Sequence, residues 1–185
     1  MRHCGTEKLE TDRLILRQFT IDDANAMYNN WANDPEVTKY LMWPHHTNVE
    51  VSKNVLLDWI YHYKEEDYYQ WAIVLKDNGN EPIGSMSVVH KDDRIEMVHI
   101  GYCIGKKWWK QGITSEALSV LLKFFFKKVG INRVELRHDP RNIYSGKVML
   151  KCGLRYEGTC READWNNQGK CDCMLYALLA KDYFF

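Results

Sequence analysis

Residues 108 to 117 read Trp108-Trp109-Lys110-Gln111-Gly112-Ile113-Thr114-Ser115-Glu116-Ala117, a strand end passing through one glycine straight into a helix. The first amides of a helix have no acceptor within it. They point outward with partial positive charge, so a turn of this kind can hold an anion as large as a pyrophosphate. The passage is not a Walker loop, because Gly-x-x-x-x-Gly-Lys-Ser/Thr is absent. Nor is it a dinucleotide fingerprint, which needs further glycines. Taken alone, it reads more readily as a plain structural turn.

A second passage, Asn142-Ile143-Tyr144-Ser145-Gly146-Lys147-Val148-Met149-Leu150-Lys151-Cys152-Gly153-Leu154, follows one strand later. By itself it reads as a helix capped by Asn142 and stopped by Gly153. The cysteines are Cys4, Cys103, Cys152, Cys160, Cys171 and Cys173. Bridged scaffolds belong to small secreted domains with weak cores, so these read as reduced, small apolar residues. Cys171 and Cys173 would share one strand face, but a zinc site needs two more ligands beside them. No metal is expected.

These residues need elements to position them. Leu14-Ile15-Leu16-Arg17 reads as a strand. Thr20-Ile21-Asp22-Asp23 then caps a helix running to about Trp31 and ending near Asn33-Asp34-Pro35. Thr47-Asn48-Val49-Glu50 fits a capping box, followed by Val55, Leu56, Trp59, Ile60 and Tyr63 at helical spacing, a stripe that reads as core. Residues 68–75, 82–89 and 95–104 read as strands joined by turns at Asp77-Asn78-Gly79-Asn80 and Lys91-Asp92-Asp93-Arg94. Beyond them come a helix over 114–129 closed by Gly130, a strand over 132–137, the Asn142 helix, and strands over 154–161 and 170–178. Phe124, Phe125 and Phe126 mark a helix buried on two sides. The sum is an α/β (α+β) chain: a mixed, mostly antiparallel sheet of about seven strands with helices on both faces.

The length of 185 residues favours one domain, its core spanning about 9–182. Lys plus Arg and Asp plus Glu number 25 each, which argues against a nucleic-acid binder working by phosphate neutralisation. No stretch has the run of apolar residues that a transmembrane helix needs. The first residues lack the apolar segment of a secretory signal, so no membrane association and a cytoplasmic location are the default expectations.

The two passages, in this order and after an antiparallel meander, resemble the GNAT family of acyltransferases, which use acetyl-CoA to acylate amines. The resemblance covers nearly the whole chain. Leu9-Glu10-Thr11-Asp12-Arg13-Leu14-Ile15-Leu16-Arg17, Asp34-Pro35-Glu36-Val37, Trp43-Pro44, Ile100-Gly101-Tyr102 and Gly153-Leu154-Arg155-Tyr156-Glu157-Gly158 are similar to the branch containing ribosomal-protein N-terminal acetyltransferases.

The resemblance implies that Trp109, Lys110, Gln111, Gly112, Ile113 and Thr114 hold the CoA pyrophosphate, chiefly through amides. Ile100, Gly101, Tyr102 and Cys103 would pair with the pantetheine arm, and Asn142 would contact the cofactor beside a slot where the third meander strand and the strand over 132–137 splay apart. Lys110 and Thr114 stand where relatives carry small residues, which is tolerable if only their amides act.

For the reaction, the amine must lose a proton, the thioester oxygen needs a donor, which a backbone amide of the third strand would supply, and the departing thiolate benefits from a proton donor. His99 stands where relatives often carry a glutamate and is the first choice of base, since imidazole titrates near neutrality; its alternative reading is a half-buried strand histidine. Glu96 is the fallback, on the opposite face if alternation is unbroken. Many relatives place a tyrosine acid where Met149 stands; Ser145, on the same helical side as Asn142, matches the serine of this branch. Trp31, Tyr40, Trp43, His45 and His46 could line an acceptor groove.

No cysteine coincides with a nucleophile position, so direct attack in a ternary complex is expected. The first acceptor is a protein N-terminal amine. A polyamine or aminoglycoside is a rival that would favour an acidic groove. A non-catalytic acyl-CoA sensor is a reading from another class. The assembly is expected to be a monomer or homodimer.

Overall fold

The structure is a computed structural model that describes residues 1–183. Eight strands form one sheet in the order β1-β2-β3-β4-β5-β6-β8-β7. They are β1 (Leu9–Glu10), β2 (Leu14–Arg17), β3 (Gln70–Leu75), β4 (Pro82–Asp92), β5 (Met97–Ile104), β6 (Arg133–His138), β7 (Arg155–Asn166) and β8 (Gly169–Leu179). The strand beyond the sequence count is β1, a two-residue edge piece too short to show periodicity. Neighbours are antiparallel except β5 and β6, which are joined through a helical crossover and must run parallel.

Both faces are covered. On β3, Trp71 and Ile73 enter the larger core with helix α4 (Ile113–Phe124), while Ala72 and Val74 face the N-terminal helices. That two-sided burial explains why β3 reads as an unbroken apolar run. The N-terminal layer comprises α1 (Ala24–Met27), α2 (Pro35–Thr38) and α3 (Val49–His62). A 3-10 turn, Ile21–Asp23, leads into α1, and a π-helical turn, Tyr28–Ala32, leads out of it. Thr20 and Asp23 form the capping box at its start. At α3 the cap is Asn48, whose Oδ1 accepts from the amides of Glu50 and Val51 at 3.0 and 3.2 Å, so the box expected from Thr47 does not form.

Two sequence expectations are corrected in this layer. Trp31 is fully buried among Phe19, Met27 and Leu56, so its indole belongs to the core and lines no groove. His46 is buried as well, its Nδ1 2.7 Å from Ser52 Oγ.

Behind the sheet, α4 runs on as a π-helical turn, Phe125–Val129, which ends at left-handed Gly130. An ordinary helix turns about 100° per residue and cannot bury three successive rings on one side. The widened turn and the Tyr183 ring, 4.8 Å from Phe126, let Phe124, Phe125 and Phe126 all be buried. Helix α5 (Ile143–Lys151) lies beside α4, and α6 (Ala180–Tyr183) follows β8. No helix among the described residues is long and apolar enough to cross a membrane.

Candidate active site

The site begins where β5 leaves β6. Their parallel ladder has only the pairs Met97–Arg133, Val98–Val134 and His99–Glu135, although β5 continues to Ile104 and β6 to His138. Beyond His99 the backbone of β5 therefore has an unpaired edge, and the two strands enclose a slot. A bulge at Val89 in β4, opposite His99 and Ile100, bends the sheet at the same place.

A cavity of about 520 Å³ runs from this edge to the start of α4. It gathers Tyr102, Cys103 and Ile104 from β5, residues 108–110 and 112–115 from the turn, Asn142, Tyr144, Ser145, Lys147, Val148 and Lys151 from α5 and its cap, and Val37, Tyr40 and Leu41 from the N-terminal layer. No backbone amide of residues 110–115 finds an acceptor among the described residues; the first one to do so is Glu116, bonded to Gly112 O at 3.0 Å. The turn achieves this with two left-handed residues, Lys110 at φ 62° and Gly112 at φ 76°. Gly112 adopts that conformation freely; Lys110 does so at a cost, held at a site of this kind by the surrounding turn.

Positive charge surrounds these amides. Arg13 Nη2 and Lys151 Nζ each lie 3.7 Å from where a Cβ on Gly112 would sit. Lys110 and Lys147 place their ammonium groups 4.8 and 5.4 Å from the Tyr144 ring. Arg13 is fixed by Glu116, which accepts from its Nε at 2.7 Å. No carboxylate lines the main cavity.

Asn142 is the N-cap of α5 by position, but its side chain makes no cap bond and remains available to the cavity. Ser145 lies one turn on, with its Oγ 3.0 Å from the Tyr102 hydroxyl. Met149 is buried in the core, outside the cavity.

Strand alternation puts Ile100 and Tyr102 on the α5 face and His99 on the face of the N-terminal layer. His99 thus stands at the closed end of the slot, on the side away from Ser145. Burial and the Arg137 charge push its pKa down to about 4, so the imidazole is neutral at neutral pH. Cys103 is the one cysteine in the cavity, and burial raises its thiol pKa while Ser85 Oγ lies 3.4 Å from its sulfur.

The remaining sequence candidates fall elsewhere. Glu96 occupies a left-handed turn residue before β5 and binds the Met1 amino group at 3.0 Å, so it does not reach the slot. Ile100 is core, and Gly101 lies against Val89 rather than the cavity. Gln111 faces a smaller cavity of about 280 Å³ with Arg13, Glu116 and Lys151. Of the acceptor candidates only Tyr40 reaches the main cavity; Trp43 packs on His46 with ring centroids 5.4 Å apart, and His45 is exposed. Val37, Leu41, Ile104, Trp108, Ser115, Tyr144, Lys147, Val148 and Lys151 were missed, though three-residue spacing already put Val148 and Lys151 on one helical face with Asn142 and Ser145.

A splayed parallel pair, a helix start with free amides and a cationic rim meet at this one cavity. A family model described as an acetyltransferase (GNAT) domain matches residues 13–155, and the chain belongs to this family of acetyltransferases. It is 30% identical over 171 residues to YoaA of Bacillus subtilis (strain 168), described as an uncharacterized N-acetyltransferase, covering 92% of this chain and 96% of that one. It is 27% identical over 143 residues to a ribosomal-protein-serine acetyltransferase of Escherichia coli (strain K12), covering 74% and 75%. Among solved structures, a GNAT-family acetyltransferase from Bacillus anthracis superposes with a TM-score of 0.81 at 25% identity, covering 95% of this chain and 99% of that one.

Proposed function

We propose that the protein transfers the acetyl group of acetyl-CoA to a primary amine, with a protein N-terminal amine as the acceptor class. The free amides of residues 110–115 carry this reading, because they open onto a cavity that continues along the unpaired edge of β5. Those amides, with Arg13, Lys110 and Lys151 nearby, suit a diphosphate. The edge beyond His99 offers the alternating donors and acceptors that a pantetheine arm can pair with, and one of its amides suits the thioester oxygen. Asn142 supplies an amide side chain beside that path.

The two faces of the slot divide the chemistry. His99, neutral and on the N-terminal face, offers a lone pair to the attacking amine directly or through a water. With a conjugate acid near 4 it passes the proton onward rather than keeping it. Ser145, on the α5 face, offers a hydroxyl to the departing sulfur. Cys103 stays protonated, which favours direct attack over an acyl-enzyme.

The lining favours a peptide amine over a polycation. Val37, Tyr40 and Leu41 present apolar and aromatic surface, and no carboxylate is present to hold a polyamine or aminoglycoside. The relative named as a ribosomal-protein-serine acetyltransferase supports the same choice. Thiol release from acetyl-CoA, measured against peptides with free N-termini, polyamines and aminoglycosides, tests the proposal. Turnover with peptides alone is the expected result. Turnover confined to polyamines would overturn the acceptor class, and CoA binding without turnover for any amine would favour a sensor.

A further inference from the structure

The Tyr102 hydroxyl reaches across the slot from β5 to the first turn of α5, where it lies 3.0 Å from both the carbonyl oxygen and Oγ of Ser145. Both residues line the cavity, and Met149, one turn further along α5, is buried away from it. We propose that Tyr102 is a positioning residue that holds the Ser145 hydroxyl ready to stabilise the coenzyme thiolate. The inference rests on the acetyl-CoA reading above.

The hydrogen-bond count supports it. A carbonyl oxygen only accepts, so the single phenolic proton goes to Ser145 O, and in the contact with Oγ the serine hydroxyl is the donor. The Ser145 hydroxyl proton is then free to donate either to the phenolic oxygen or into the cavity. Once negative charge develops on sulfur, a bond to that anion is about twice as strong as a neutral one, and the hydroxyl turns to it. By donating to Ser145 O, the phenol keeps the first turn of α5, and Oγ with it, in place. Burial raises the Tyr102 pKa well above the usual phenol value, so the ring stays protonated in this role and does not serve as the acid itself.

The atoms balance without a separate proton donor. The amine nitrogen forms a bond to the acetyl carbon, the carbon–sulfur bond breaks, and sulfur leaves with the electron pair. The amine proton departs through His99 or water. The Ser145 Oγ–H bond stays intact as a hydrogen-bond donor, and the thiolate takes its proton from solvent on release.

Calorimetric binding of CoA and of desulfo-CoA, which lacks the sulfur, separates this inference from the reading beneath it. A thiol of pKa near 8.5 is mostly thiolate by pH 9.5. In the wild type, the preference for CoA over desulfo-CoA is expected to rise severalfold between pH 7 and pH 9.5. Tyr102→Phe should abolish that rise and leave desulfo-CoA affinity unchanged. It should also lower kcat by about 10-fold or more with KM for acetyl-CoA held, the pattern of an interaction made only as charge develops. Ser145→Ala should reproduce both effects, and the double variant should add little to either. If neither ligand binds the wild type, the acetyl-CoA reading fails. If both bind but the preference does not rise, or rises equally in a stably folded Tyr102→Phe, the positioning role fails and the acetyl-CoA reading stands.

Discussion

His99 and Glu135 face each other across the last rung of the β5–β6 ladder, and beyond them the strands part. This makes His99 the hinge between paired sheet and open slot and gives it a charged neighbourhood. Arg137 and burial depress its pKa to about 4, while Glu135 opposes them only in part. In the unfolded chain the same imidazole titrates near 6.5. Between those two values the unfolded state binds more protons, so stability contributed by neutral His99 is full above about pH 6.5 and is lost as pH falls toward 4. His99→Gln should flatten that part of the stability–pH curve, measured by denaturant titration at a series of pH values. Once the titration of the acceptor amine is divided out, the acid limb of kcat/KM that belongs to the enzyme should lie near pH 4 rather than 6.5. A limb at 6.5 that disappears in His99→Gln would show that the imidazole is not held neutral.

The loop carrying Tyr40 is held by the β7–β8 turn. Asn167 Nδ2 donates to the carbonyls of Thr38 and Trp43 at 2.8 Å each, and its backbone amide donates to Leu41 O at 3.1 Å. Asn167→Ala strips two of these three bonds and leaves the carbonyls to water or to nothing, a loss of about 1–3 kcal/mol. Because Val37, Tyr40 and Leu41 form the N-terminal side of the cavity, the acceptor KM should rise severalfold. The acetyl-CoA KM should hardly change, since the turn at residues 110–115 is untouched. Steady-state kinetics with each substrate varied checks the split, and an equal rise in both constants would place this loop on the cofactor instead.

The order of elements was legible because each carries a local signature: the apolar run of β3, the turn at Gly112, the capped start of α5. The turn at residues 110–115 was equally legible, since it is built from main-chain groups at a helix start and needs only a glycine and a register. The N-terminal wall of the cavity was not. Trp31 and Trp43 are the same residue type, and nothing local tells that one is fully buried and the other packs on His46. The facing of Glu96 is not legible for a related reason, because its left-handed conformation breaks the strand alternation just before β5. The Tyr102–Ser145 bond joins residues 43 apart in sequence, a distance over which only tertiary packing sets the geometry.

The cations around Gly112 carry a prediction about the cofactor. Lys151 approaches the turn from α5 and Arg13 from β2's leading loop, but Arg13 is already paired with Glu116. Lys151 has no carboxylate partner among the described residues, so its charge is available to a phosphate. Lys151→Ala should weaken CoA binding by about 5- to 20-fold at low salt, as expected for a lost charge-assisted contact. The difference should shrink as ionic strength rises, because salt screens the exposed charge. Calorimetry at two salt concentrations reads this directly, and a salt-independent loss would assign Lys151 a packing role.

Helix α5 sits at its present height because residue 146 has no side chain. A Cβ on Gly146 would lie 2.7 Å from His138 Nε2 and 3.4 Å from the Tyr176 hydroxyl. His138 cannot easily yield, since its Nδ1 is fixed 2.8 Å from Asp139 O and the ring is buried at the end of β6. Gly146→Ala must therefore push α5 away from the sheet, at an overpacking cost of about 1–3 kcal/mol. For a chain of this length that corresponds to roughly 2–12 °C in Tm. The displaced helix carries Asn142 and Ser145 with it, so CoA affinity should fall together with stability. Replacing the obstructing ring relieves the overlap: His138→Ala combined with Gly146→Ala should be more stable than the sum of the two single losses, a coupling measurable by thermal melts of all four proteins. Strict additivity would mean that α5 is held off the sheet by something other than this contact.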